Sequence, residues 1–286
     1  MLHLAKHLLD PYLLGSTAPP FTVFFFRRRL NSGLSGFSLL WNTPGVFSYG
    51  VPGFQIEYFC DCTLHTLDLG VSPRYVATCI YKALQLNIFG FPAGLTEKTK
   101  HRKGVLQVRK RLKDYYNQER HANPWKKQSK LRKPLSIKML GNPKAPCLQA
   151  KGGETRNLVK FATKLMEDFK RDNESNMLHQ AGVNLVRFYE TMAAENRRLP
   201  LKSRKVLMDS AVRFCAYWKA AGGYFVHKHH GFVHMACDTH KTGNPSYCST
   251  YEDESENGVV ARIGAIVHGG TFATSVFERL ELLRDK

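Results

Sequence analysis

Acidic side chains are what this chain has least of. Asp and Glu number 23 against 42 Lys and Arg in 286 residues, leaving a net charge of +19. A surplus of that size speaks about partners rather than fold: polyanions come first, and nucleic acid comes ahead of a membrane surface. Long apolar runs are also missing, since no stretch reaches the roughly eighteen residues of a membrane span. The run 21–26 is six residues long, and Arg27, Arg28 and Arg29 follow it, the wrong side for a signal peptide. The seven cysteines are odd in number and lack the spacing of a secreted disulfide framework, which points to a reduced, soluble intracellular setting. A Gly-rich phosphate loop, a GxSxG elbow and an HExxH pair are all absent, so kinase, P-loop and metalloprotease readings lack their parts. No internal repeat is found.

The hydrophobic content of 43% is enough for a core in one large domain or two ordinary ones. The centre of interest is 54–71, FQIEYFCDCTLHTLDLGV. Its apolar, aromatic start (Phe54, Ile56, Tyr58, Phe59) reads as a β-strand that delivers Cys60, Asp61, Cys62 and His65, with Asp68 just beyond. Residues 1–53 form a loop-rich strand-and-turn region, with one candidate strand at 21–26. Ser72 and Pro73 suit a helix start, and Val76, Cys79, Ile80, Ala83 and Leu84 then repeat at helical spacing.

Between 97 and 138 the composition changes: fifteen Lys and Arg stand against three acids, Glu97, Asp114 and Glu119. Within it, 105–120 reads as a helix with Val105, Val108, Leu112, Tyr115 and Tyr116 on its drier side. A linker rich in proline follows, with one strand at 135–140. Beyond Gly152 three apolar stripes predict three packed helices: Leu158, Phe161, Ala162, Leu165, Met166 and Phe169; Leu178, Ala181, Leu185, Phe188, Tyr189 and Met192; then Val206, Leu207, Ala211, Phe214, Cys215 and Trp218, closed by Gly222 and Gly223. A histidine-rich segment at 224–240, a turn at 243–245, an acidic run at 251–256 and two final helices complete the chain.

Three constellations carry candidate chemistry. Lys and Arg interleaved with Tyr115, Tyr116 and Trp125 suit phosphate contacts and stacking on bases. The acids Glu252, Asp253, Glu254 and Glu256 either complement a helix N-terminus or supply a carboxylate that joins Asp61 around Mg²⁺. Cys60, Cys62, His65, His230, His234 and Cys237 are zinc donors by type, and His227, His230, His234 and Cys237 share a face if their segment is helical. Neither group has the paired spacing of a zinc module.

Three stretches, CTLHTLDLGV (62–71), GGETRNLVKF (152–161) and KHHGFVHM followed by GNPSYCSTYEDESENG (228–235 and 243–258), together resemble the catalytic region of CACTA (EnSpm) and Plavaka-type DNA transposases. The resemblance implies an α+β, predominantly helical chain: a partial ribonuclease-H-like sheet from 54–71 and 243–286, with a large helical insertion at 72–242 bearing the basic segment. It also implies Mg²⁺- or Mn²⁺-dependent strand cleavage with Asp61 and Glu254 as metal ligands, Asp253 as the alternative acid, and His65 orienting an acid or a phosphate. DNA would lie along Arg109, Lys110, Arg111, Lys113, Lys126, Lys127, Lys130, Arg132 and Lys133. Where relatives begin the motif with Asp this chain has Cys62, and upstream only Asp10 is available as a first acid, so the resemblance implies a truncated or decayed copy, catalytically incomplete. A nuclear location fits the basic clusters at 27–29 and 126–133, and a homo-oligomer stays open. Two other readings stay open as well: a non-enzymatic basic helical DNA- or RNA-binding module, and a zinc-stabilised interaction protein.

Overall fold

The computed structural model describes residues 60–125, 129–169 and 172–251. The N-terminal region, the strand expected at 54–59, Lys126, Lys127, the acids Asp253 and Glu254 and the two final helices lie outside the described residues. Among those described, the protein is predominantly helical. A π-helical segment Leu64–Val71 runs into α1 (Ser72–Gln85), followed by α2 (Glu97–Ala122), α3 (Ile137–Leu140), a hairpin of β1 (Gly141–Asn142) and β2 (Ala145–Pro146), α4 (Gly152–Asp168), α5 (Asn173–Ala194), α6 (Leu201–Ala220), α7 (His227–Cys237), α8 (Thr239–Thr242) and a 3₁₀ turn Pro245–Tyr247.

Helix α1 is the axis of the bundle. Tyr75, Val76, Ala77, Cys79, Ile80 and Ala83 are all fully buried, so apolar side chains surround it on nearly every side, as expected of a helix with no face left for water. Helices α4 and α5 pack against it, and α6 packs on α5. The three stripes behave as their spacing requires: Leu158, Phe161, Ala162, Leu165 and Met166 are buried on α4; Leu178, Ala181, Leu185, Phe188 and Met192 on α5; Leu207, Ala211, Phe214, Cys215 and Trp218 on α6. Gly222 follows α6 at φ +70°, the left-handed turn that ends a helix and that a side chain resists.

Several expectations need correction. Cys60–Cys62 lead into a helix rather than a loop, and the π-helical geometry persists to Val71. Ser72 is no cap: its N–H donates to Leu67 O, five residues back, and its hydroxyl pairs with Tyr189 Oη at 2.8 Å. Pro73 is tolerated inside this continuous helix because the hydrogen-bond ladder has already shifted register in the widened turns before it. The strand expected at 135–140 is instead the short helix α3, with Ser136 capping through its side chain to Met139 N. Among the described residues the only sheet is the two-stranded β1–β2 hairpin, with no ribonuclease-H-like sheet. No described helix is long and apolar enough to cross a membrane.

Candidate functional site

The three stretches singled out in the sequence meet at one carboxylate. Asp68, in the π-helical segment, is fully buried, and its oxygens accept four hydrogen bonds. Arg156 of α4 donates twice, Nε to Oδ1 at 3.1 Å and Nη2 to Oδ2 at 2.6 Å. Tyr189 of α5 donates to Oδ1 at 2.6 Å, and Tyr251 to Oδ2 at 2.8 Å. The Arg156 guanidinium lies 5.3 Å from the Tyr189 ring centre and 5.5 Å from that of Tyr251, adding a cation–π contact on each. Burial and then the Asp68 charge push both tyrosine pKa values up, so their hydroxyls stay protonated and donate. Burial works against the Arg156 charge, but the Asp68 hydrogen bond and charge outweigh it and hold that pKa above its ordinary value. A buried charge satisfied on every lone pair is tolerable where a half-satisfied one is not. The cluster is also tight: a Cβ on Gly152 would sit 2.6 Å from Tyr251 Oη and 2.5 Å from Leu64 Cδ1.

Next to this cluster the segment 244–251 is laced to 60–65. Asn244 is fully buried and donates through Nδ2 to the carbonyls of Met192 and Glu195, each at 2.9 Å, which seats the Gly-Asn-Pro turn on the C-terminus of α5. Thr63 donates through N to Cys248 O at 3.0 Å and through its hydroxyl to Pro245 O. Cys62 Sγ, His65 Nδ1 and Thr250 Oγ1 form a triangle: Cys62 to Thr250 at 3.1 Å, His65 to Cys62 at 3.3 Å, and Thr250 to His65 at 3.3 Å. Cys60 and Cys248 share a thiol hydrogen bond that lowers the Cys60 pKa to about 7, against burial and the charge of Asp61. From α7, Lys228 donates to the His65 carbonyl at 2.6 Å.

Asp61 is half-buried. Burial raises its pKa first, His234 and Lys228 pull it down, and Asp238 pushes it up again. Asp61 and Asp238 line a cleft of about 10 Å³ with Cys60, Met235 and Cys248, room for a single water at most. The histidine-rich segment is helical as its spacing allows, and His230 and His234 stand one turn apart with Nε2 atoms 2.9 Å from each other. Cys237 is exposed at the end of that helix. Among the described residues, no group of three or more His, Cys, Asp or Glu side chains is arranged to hold a metal ion. The zinc set is therefore not brought together there: Cys62 and His65 bond each other and Thr250, while Cys60 bonds Cys248.

The basic segment is dominated by α2, longer than the 105–120 expected. Thr96 caps it, its hydroxyl accepting from Thr99 N at 3.3 Å. Val105, Val108, Leu112, Tyr115 and Tyr116 are buried against the bundle. Lys98, Arg102, Arg109, Lys113 and Arg120 are spaced by four, seven, four and seven, which returns them to one side of a 3.6-residue helix. All but Arg109 are exposed; Arg109 Nε donates to Leu135 O at 2.5 Å. The ion pairs of α2 among the described residues are Lys100–Glu97 at 2.9 Å, His101–Glu97 at 3.9 Å and Arg111–Asp168 at 3.3 Å, none of them on that stripe. Lys130, Arg132 and Lys133 extend the basic surface: Lys130 lies 5.5 Å over the Tyr116 ring, and the Arg132 side chain is 3.8 Å from Glu154. Trp125 is 97% exposed.

In the sequence Asp68 stands out only as an acid just beyond the donor group, and its partners are not marked. Arg156, Tyr189 and Tyr251 lie 88, 121 and 183 residues away from it, and no spacing rule links them. Asp238, Lys228 and Thr250 were missed for the same reason. Compared with protein-family models, with curated proteins and with solved structures, the chain matches none.

Proposed function

We propose that this is a transposase-like nucleic-acid-binding protein that holds DNA along the open side of α2. The observation that carries the reading is the stripe Lys98, Arg102, Arg109, Lys113 and Arg120, cationic and without an ion pair among the described residues. With 26 residues α2 is roughly 39 Å long at 1.5 Å per residue, about one turn of duplex DNA. Long exposed cations that gain little from internal pairing gain from releasing counterions when they meet phosphates. Lys110, Arg111, Lys130, Arg132 and Lys133, with Lys126 and Lys127, belong to the same surface in this reading, and the basic clusters would also serve nuclear import. Fluorescence anisotropy with a labelled 20-bp duplex tests it: the Arg102→Ala, Lys113→Ala, Arg120→Ala triple variant binds at least tenfold more weakly than the parent at about 100 mM salt. Equal affinity would remove α2 from the interface.

An ancestral Mg²⁺-dependent strand cleavage is the second half of the proposal, supported by the lacing of 60–68 to 248–251. Tyr251 is followed directly by the acidic run, whose reach is bounded at roughly 3.5 Å per residue. Since the described donors alone make no metal site, Asp61 would hold Mg²⁺ or Mn²⁺ only together with Glu254 or Asp253. The ion would activate water and steady the phosphodiester, with His65 orienting an acid or a phosphate. The ribonuclease-H-like sheet of this reading would draw on residues outside the described ones. A Mg²⁺ or Mn²⁺ cleavage assay against the Asp61→Ala variant separates the alternatives: loss on substitution supports the enzyme, and DNA bound but uncut by both supports a non-enzymatic binding module. Bound zinc in the purified protein would favour the interaction-protein reading.

A further inference from the structure

On the margin of α2 away from the cationic stripe, a groove of about 460 Å³ opens between α2 and α4. Its floor is apolar and aromatic: Tyr115 is 9% exposed, Phe161 4% and Leu165 2%. Its rim is polar and points outward: Gln107 and Gln118 along α2, Lys110 on the same helix, and Lys164 facing them from α4, donating to Gln118 Oε1 at 3.3 Å. One end is closed by Arg111, whose guanidinium lies 4.7 Å from the Phe169 ring centre and 5.9 Å from that of Phe89, and is steadied by Asp168 at 3.3 Å. The groove thus offers an aromatic floor whose Tyr115 and Phe161 rings lie at 54° to each other, the Arg111 guanidinium plane, two neutral amides, and a cation on each bank, with the Asp114 carboxylate between them on α2.

Those are the elements an unstacked nucleobase uses: a ring or guanidinium plane to lie on, amides for its edge, and cations for the phosphates on either side. A duplex buries its base faces in the stack and cannot present one to a groove. Lys103 and Lys110 lie between the stripe and the groove on the helix surface, giving a strand a cationic path over α2. We propose that the α2–α4 groove is a binding site for a single unpaired nucleotide of a nucleic-acid strand, its base against Arg111 and the aromatic floor and its phosphates on Lys110 and Lys164. This rests on the nucleic-acid reading above and adds to it a preference for single-stranded or locally opened substrate.

Three labelled probes test it on the full chain at one salt concentration: a 12-nucleotide single strand, its duplex, and a strand of equal length with abasic sites throughout. The single strand binds about tenfold more tightly than the abasic strand, the gain expected from seating one base. Gln107→Trp fills the groove from an exposed position, leaves the thermal unfolding midpoint unchanged, and brings the two strands to within twofold while duplex affinity holds. Lys164→Ala weakens the single strand more than the duplex. Base-independent binding by the parent chain, or a Gln107→Trp variant that keeps the full preference, overturns the groove assignment alone. Failure to bind any of the three probes overturns the nucleic-acid reading together with it.

Discussion

Around Asp68 every charge is answered inside the protein, whereas along the open side of α2 almost none is. The buried carboxylate has a two-pronged guanidinium and two phenol donors, all from distant parts of the chain. On α2 the stripe cations other than Arg109 face water, and the helix has only three carboxylates of its own with which to pair its Lys and Arg, Glu97, Asp114 and Glu119. The first pattern is what a fold needs, since an unpaired buried charge costs several kcal/mol. The second adds nothing to the fold: exposed pairs are worth little, and self-repulsion opposes compaction. Under the proposed function, charge kept at that expense is held for the nucleic-acid partner.

The contrast breaks most visibly at the buried end. Asp68→Ala strands Arg156, leaves Tyr251 without its acceptor and Tyr189 with Ser72 Oγ alone, so unfolding free energy falls by about 3–5 kcal/mol in denaturant titration. A loss under 1 kcal/mol would show the pair to be dispensable.

The interior's intolerance of charge also shows in His229. Its ring is stacked on Trp218 and Phe214 at interplanar angles of 18° and 13°, and burial, partly offset by the Val226 backbone, lowers its pKa from 6.5 to about 4. Below pH 6.5 the unfolded chain takes up a proton that the folded chain refuses. Stability contributed by this group is therefore complete above pH 6.5, falls by about 3 kcal/mol as pH drops to 4, and levels off beneath. His229→Phe flattens that part of the profile; an unchanged slope would assign it to other groups.

A finer probe of the same cluster is Tyr251→Phe, which removes one donor to a charged acceptor and costs about 2 kcal/mol. The loosened 248–251 segment then shows faster amide exchange than α1, and uniform exchange would contradict its attachment through Asp68. The smallest stability effect belongs to α2. Lys98→Ala and Lys113→Ala each change unfolding free energy by less than about 0.5 kcal/mol.

Legibility in the sequence divides along the same line. Periodic burial was readable: the stripes of α2, α4, α5 and α6 and the glycine stop after α6 stand where their spacing puts them, because each depends on neighbours three and four residues away. The strand expected from the apolar run 54–59 lies outside the described residues, and the π-helical segment that follows the donors has no local pattern that marks it off from an ordinary helix. The cationic surface was legible from composition alone. Asp68 was visible only as an acid just past the donor group, and what decides its role, Arg156, Tyr189 and Tyr251, is a meeting of remote residues that no local pattern announces.

The division of labour between the two charged regions is tested most directly by measuring duplex-DNA affinity against salt concentration for the parent chain, Asp68→Asn, and the Lys98→Ala, Lys113→Ala double variant, each at a temperature where it is folded. The double variant shallows the slope of log affinity against log salt by roughly 1.8, about 0.9 per lost phosphate contact, while Asp68→Asn keeps the parent slope. A parent slope retained by the double variant, or one lost in Asp68→Asn, would contradict the assignment of α2 to the partner and of Asp68 to the fold.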